Sequence, residues 1–188
     1  MASLRQRPLV RVRQWAHRAG GRRSRFVGVA TAPEDSRAVT REAKSACIFC
    51  RLLAGELPAT FLFRDEQCAA FMDIQPVNPG HVLVIPTRHA PYLANLDAPT
   101  AGRLIQEAQR VAAAIRASGV RCEGVNLFLA DGEAAMQEVL HVHLHVFPRF
   151  AGDGFGLRFG PHYKERPPRL ALEETAARIR SALDASAA

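Results

Sequence analysis

Residues 141–149, His-Val-His-Leu-His-Val-Phe-Pro-Arg, alternate imidazole and apolar side chains with a period of two. That spacing predicts a half-buried strand. Val142, Leu144 and Val146 then face a core, and His141, His143 and His145 line the opposite face. Neighbours in such a row stand ~6.6 Å apart on a strand rising ~3.3 Å per residue. Three imidazoles in a row can bind a metal, hold a phosphate or attack one. Imidazole titrates near about pH 6.5, so it serves as nucleophile, acid or ligand at neutrality. The plain competitor is a polar outer strand face that happens to be rich in histidine. Three of the chain's seven histidines fall here, which favours function over accident.

A chain of 188 residues with 48% hydrophobic content suits one globular domain with a real core and tails. No apolar run approaches the ~18 residues that a membrane span needs. Four cysteines are too few for a disulfide scaffold. Two of them form Cys47-Ile48-Phe49-Cys50, a spacing that suits metal binding or redox chemistry in a reducing compartment. The charge of +7 is unevenly placed. Residues 1–45 hold eleven Arg or Lys against three acids, and residues 46–188 hold fourteen against fifteen. The basicity therefore belongs to the tail, and specific nucleic-acid binding by the domain loses its support.

Residues 1–45 are predicted to form a poorly ordered extension, interrupted by Gly20-Gly21 and Pro33. A solvated tail in a cytoplasmic protein is the first expectation. An Arg-rich, acid-poor organellar transit peptide and a tail touching anionic polymers are the alternatives. Ala46–Glu56 should form a short helix or turn, ended by Pro58. Thr60–Arg64 and Cys68–Ile74 read as a hairpin about Asp65-Glu66. His81–Pro86 follows a rigid Pro76–Gly80 loop as a third strand. From Asp97 the pattern turns helical, with Leu104, Ala108, Val111, Ala112 and Ile115 on one face and Gly119 as terminator. Gly124–Ala130 is a fourth strand. A loop through Gln137 and Glu138 then leads into the histidine strand. Leu170–Ala185 reads as a closing helix with Leu172, Ala176, Ile179 and Leu183 on one face.

The His-x-His-x-His run is similar to the motif of the histidine triad (HIT) superfamily. Cys47–Cys50, Phe71-Met72-Asp73-Ile74, Pro79–Pro86 and Gln137-Glu138-Val139 resemble further blocks of that family, in its order. The resemblance covers roughly 46–155 and leans towards bacterial members carrying Cys-x-x-Cys. It implies an HIT domain over 46–155, with a C-terminal extension over 156–188. The implied fold is α+β, an antiparallel sheet of about five strands with one long and one shorter helix, usually as a homodimer. The implied chemistry is hydrolysis or transfer at the α-phosphate of nucleoside phosphoramidates or dinucleoside polyphosphates, with a purine nucleotide as substrate.

The resemblance also distributes roles. His143 is implied as the nucleophile, forming a nucleotidyl-histidine intermediate. His145, Gln137 and His81 are implied at the phosphate, and Asp73 at the ribose hydroxyls. Ile48, Phe49, Leu52 and Phe71 match an apolar base pocket. Cys47, Cys50, His89 and His141 match a structural zinc set, a donor combination that suits tetrahedral zinc. Three positions depart from the family pattern: Met136 where Gly is common, Ala130 where a polar amide is common, and Glu138 where Ser or Thr occurs. Two other functions compete: a metal-dependent hydrolase that uses the histidine row as its ligand set, and a nucleotide-binding module with little turnover.

Overall fold

The structure is a computed structural model and describes residues 45–186. The basic extension, but for Ser45, lies outside the described residues. Five strands form one antiparallel sheet: β1 (Phe61–Arg64), β2 (Cys68–Met72), β3 (Val82–Pro86), β4 (Gly124–Leu129) and β5 (Leu144–Arg149), in the order β1-β2-β3-β5-β4. The predicted hairpin is β1–β2. Asp65 closes its turn by accepting from the backbone N–H groups of Gln67 and Cys68, each at 2.8 Å. Among the described residues no helix is long and apolar enough to cross a membrane.

Alternation divides the sheet into two buried faces. Cys68, Ala70, Val82, Val84, Leu144 and Val146 point to one side, with Val142 from the segment before β5, and meet Leu104, Ala108, Val111 and Ile115 of the long helix α2 (Ala98–Ala117). Ala69, Phe71, Leu83 and Ile85 point to the other side and meet Phe49 and Leu53 of the short helix α1 (Ile48–Leu53). Cover on both faces buries β3 from end to end. The imidazoles, opposite in phase to Val142 and Leu144, fall on the α1 side. The strand's polar face is therefore roofed, not half open as its alternation suggests.

Helix α2 starts and stops where its sequence predicts. Asp97 caps it by accepting from Thr100 N–H at 2.8 Å, Pro99 sits in the first turn, and Gly119 follows the end with φ +83°. Its apolar stripe also carries Glu107, fully buried and held by Arg103 at 2.7 Å and Arg110 at 2.6 Å.

Two expectations need correction. Strand β5 begins at Leu144, so His141 and His143 stand on an extended lead-in and not on the ladder. Extending the β3–β5 register would set Val142 against Pro86, which has no N–H to offer. The Val142 N–H donates instead to Ala90 at 2.7 Å. The final helix, α3 (Arg169–Ser186), forms where periodicity places it but does not close the core. Leu170, Leu172, Ile179 and Leu183 are each more than half exposed.

Candidate active site

Because α1 is short, it covers only part of the imidazole row. The Phe49 ring sits edge-on to His141 at 5.8 Å and to His143 at 5.3 Å, and is itself backed by Phe71 at 5.6 Å. His145 lies beyond this roof and is the most exposed of the three. The row thus grades from a sealed end at His141 to an open end at His145.

The hydrogen bonds fix a proton arrangement on each ring. His143 Nδ1 lies 2.7 Å from the His141 carbonyl oxygen, so Nδ1 carries the proton and Nε2 keeps its lone pair. Burial pushes the His143 pKa down, against the carbonyl bond and the charges of Asp73 and Glu138. The ring is therefore neutral at neutral pH. On the next ring, the Val77 N–H donates to His81 Nδ1 at 3.1 Å. His81 must then hold its proton on Nε2, which faces His145 Nδ1 at 2.9 Å. His145, accepting there, keeps its own proton on Nε2. Burial, then the neighbouring His143 and His81, push the His145 pKa down to about 4. Burial likewise lowers that of His81.

Asp73 stands at this open end. Its Oδ1 accepts from Gln75 N–H at 2.8 Å, and its Oδ2 lies 3.4 Å from His81 Nδ1 and 4.0 Å from His145 Nδ1. Asp73, His81 and His145 bring three donor atoms within 4.8 Å of one another. His81 and His145 form a hydrogen-bonded pair, because the His81 proton occupies the space between the two rings, and Asp73 approaches both Nδ1 atoms through space alone.

The sealed end differs. Cys47 Sγ lies 3.5 Å and Cys50 Sγ 3.7 Å from His141 Nδ1, and Cys50 Sγ lies 3.2 Å from His89 Nδ1. Zinc–sulfur bonds of about 2.3 Å and zinc–nitrogen bonds of about 2.0 Å at tetrahedral angles separate S from N by about 3.5 Å. His141 Nε2 lies 2.9 Å from the Pro86 carbonyl and donates to it, which turns the Nδ1 lone pair towards the sulfurs. Burial lowers the His141 pKa to about 4 and keeps that lone pair unprotonated. These four residues could hold a metal ion, and their donor set fits zinc.

Gln137 is buried, and its amide is engaged by the loop itself. Oε1 accepts from Gly132 N–H at 2.8 Å, and Nε2 donates to the carbonyls of Pro91 at 2.7 Å and Val139 at 3.1 Å. Contact with a phosphate would require it to give up one of these bonds. Met136, at the Gly-like position, has φ +69° and is the one non-glycine residue with positive φ among those described. Of the base-pocket set, Phe49 and Phe71 are buried, Leu52 is half-buried and Ile48 is exposed.

A clamp that sequence inspection missed sets His81. Asn78 donates to the Pro148 carbonyl and to Asp153 Oδ2, both at 2.9 Å, and Arg149 pairs with the same Asp153. It ties the loop before His81 to the end of β5. Asn78 lies 75 residues before Asp153 and shares no motif with the Arg149–Asp153 pair, and the Pro-Val-Asn-Pro-Gly turn was the one legible part.

A profile of the HIT domain matches residues 54–152. The chain belongs to the HIT family. An HIT-like protein of Borreliella burgdorferi is 40% identical over 115 residues, covering 61% of this chain and 83% of that protein. An adenosine 5'-monophosphoramidase of Schizosaccharomyces pombe is 32% identical, covering 72% of this HIT protein and 99% of the relative. A zinc-bound histidine triad family protein from Mycobacterium smegmatis has a similar solved structure. It is 38% identical with a TM-score of 0.58, over 71% of this chain and 98% of that one.

Proposed function

We propose that this HIT protein hydrolyses or transfers the nucleotidyl group of nucleoside phosphoramidates or dinucleoside polyphosphates, with His143 as nucleophile. The observation that carries the proposal is the His143 Nδ1–H bond to the His141 carbonyl in a buried, neutral ring. It leaves Nε2 with its lone pair and stabilises the positive charge that forms on attack. Nε2 bonds to the α-phosphorus while the bond to the departing nitrogen or oxygen breaks. The His145 Nε2 proton passes to the leaving group. Water then attacks phosphorus, His145 takes a proton from it, the phosphorus–His143 bond breaks and nucleotide departs.

The other residues follow from position. Asp73 accepts from ribose hydroxyls, which its carboxylate can do twice. His81 acts at the phosphate end through its bond to His145. Gln137 holds the 132–139 loop and reaches a phosphate oxygen only by exchanging a backbone bond. Phe49, Phe71, Leu52 and Ile48 form the apolar wall for a purine. Zinc on Cys47, Cys50, His89 and His141 would supply a cross-link between α1 and the sheet and no activation of water. We also propose a homodimer, since the β4 edge and α3 leave Leu127, Ile179 and Leu183 exposed.

The test is incubation with radiolabelled adenosine phosphoramidate and with diadenosine polyphosphates, wild type beside His143→Ala. Acid-labile, base-stable label on the wild type alone is the expected result. Turnover should fall at least ~10³-fold in the variant, the scale on which loss of a covalent nucleophile is felt. Full turnover by His143→Ala would refute the assignment. Binding of nucleotide without turnover by the wild type would make the protein a binding module. Added phosphate separates hydrolysis from phosphorolysis.

A further inference from the structure

Cys47 and Cys50 place two sulfurs side by side at the candidate metal site, one of them within reach of solvent. Cys47 precedes α1 with extended backbone, φ −77° and ψ 120°, and Cys50 lies in the first turn. Both sulfurs converge on His141 Nδ1, and the donor atoms of the four-residue group all lie within 4.8 Å of one another. A modest side-chain rotation brings two sulfurs at such separation to bonding distance. Cys47 is buried, but Cys50 is only partly so. It lines an open cavity of about 350 Å³ with Arg51, Thr87, Arg88 and His89. A small oxidant can therefore reach one ligand sulfur of the pair from solvent.

The other two cysteines are internal contrasts. Cys68 is fully buried in the α2 core, and burial pushes its thiol up to about 11. Cys122 directs its thiol to the Gly124 carbonyl at 3.1 Å. Reactivity follows thiolate character and access, which sets Cys68 aside; Cys122 is half-buried like Cys50, so its oxidation is read separately in the experiment.

We propose that Cys47 and Cys50 form a peroxide-sensitive dithiol whose closure to a disulfide expels the metal and loosens the roof over His143. The metal part rests on the zinc reading given above; the dithiol part does not. Peroxide oxygen adds to the Cys50 thiolate, giving a sulfenic acid and one hydroxide. The Cys47 thiolate attacks that sulfur, the S–S bond forms and a second hydroxide leaves. Two electrons pass from the sulfurs to peroxide, and two protons from solvent turn the hydroxides to water. His89 and His141 alone hold zinc weakly, so the ion departs. The effect reaches the site because Phe49 lies between the two cysteines and packs on His143, and because the carbonyl that orients His143 belongs to His141.

The experiment titrates the zinc-loaded full chain with hydrogen peroxide. It follows zinc with a chromogenic chelator, phosphoramidase turnover, and the mass of the tryptic peptide 45–51, which contains both sulfurs. Expected are loss of two hydrogens from that peptide, release of one zinc per chain, and at least a tenfold fall in turnover. Dithiothreitol with zinc should restore all three. Cys47→Ser should lose reversibility, and if it does not fold, the wild-type peptide mass still decides. The proposal is overturned if 45–51 stays at the dithiol mass while Cys68 or Cys122 oxidises, or if the disulfide forms with zinc retained and turnover unchanged. A chain that forms the disulfide but binds no zinc overturns the metal part alone. Failure of the nucleotidyl chemistry would show as no turnover before peroxide is added.

Discussion

Single protons govern the site. His143 and His145 are neutral because burial opposes their charge, and for His145 the pKa falls to about 4. Turnover should therefore stay level as pH falls from 8 through 6.5, where an exposed imidazole would already be half protonated, and decline only below that. A pH profile with its acid limb centred at 6.5 or above would contradict this. Stability carries the matching sign. Between about pH 6.5 and 4 the unfolded chain binds a proton at His145 that the folded chain refuses, so stability falls as pH falls through that window, and the lowered His143 pKa adds in the same direction. Denaturant midpoints measured across it should decrease. His81 can be separated from His145 by its bond. His81→Ala removes the N–H that fixes the His145 proton on Nε2, and His81→Gln restores an N–H donor. The alanine variant should lose roughly tenfold or more in kcat, with the larger loss on amine leaving groups, in line with ~10²–10⁴-fold for a proton-transfer group. The glutamine variant should recover part of that without moving KM. Equal losses on all leaving groups would leave His81 a packing residue.

At the scale of elements, the loop into β3 is the tightest constraint. Gly80 has φ +98°, and a Cβ there would meet Val120 Cγ1 at 3.0 Å and Pro148 Cγ at 3.3 Å. Gly80→Ala should destabilise by ~2–5 kcal/mol, from ~1–2 for the left-handed backbone and ~1–3 for overpacking. Chemical denaturation checks it, and a loss under ~1 kcal/mol would mean that the loop gives way. Much of this level was legible in sequence. Alternation at Val82–Pro86 and Val142–Val146, with the Asp97 and Gly119 boundaries of α2, gave the sheet and the long helix. Three things were not legible, each for a physical reason. The start of β5 depends on Pro86, a residue of another strand, lacking an N–H. The burial of Glu107 depends on two arginines one turn away on either side, a local pattern that exposed helices share. The Asn78–Arg149–Asp153 clamp joins segments seventy or more residues apart. The candidate site was legible in its residue types. The order of its protons was not, because a main-chain acceptor at His141 and a main-chain donor at Val77 set it.

Over the described residues the protein is a sheet roofed unequally. Helix α2 covers one face along its length, α1 covers part of the other, and α3 covers neither. The exposed stripe of α3 and the β4 edge, which pairs with no further strand among the described residues, support the proposed dimer. Light scattering of the full chain should give twice the 20.6 kDa chain mass. Removal of residues 169–188 should weaken association measurably, and a monomer at micromolar concentration would sink the dimer. The roof also bears on the active face as a whole. Chelation of zinc should lower the melting temperature and kcat together, since His141 of the proposed zinc set carries the carbonyl that orients His143 and Phe49 packs on both rings; unchanged turnover after full metal loss would uncouple them.

The Val77 N–H has a consequence for mutagenesis. Replacing side chains one at a time from Pro76 to Gly80 leaves that donor in place, so an alanine scan would pass over the anchor of the whole imidazole relay. Only proline at 77 deletes it, and a Val77→Pro protein would keep every reactive side chain while losing the order in which their hydrogens sit.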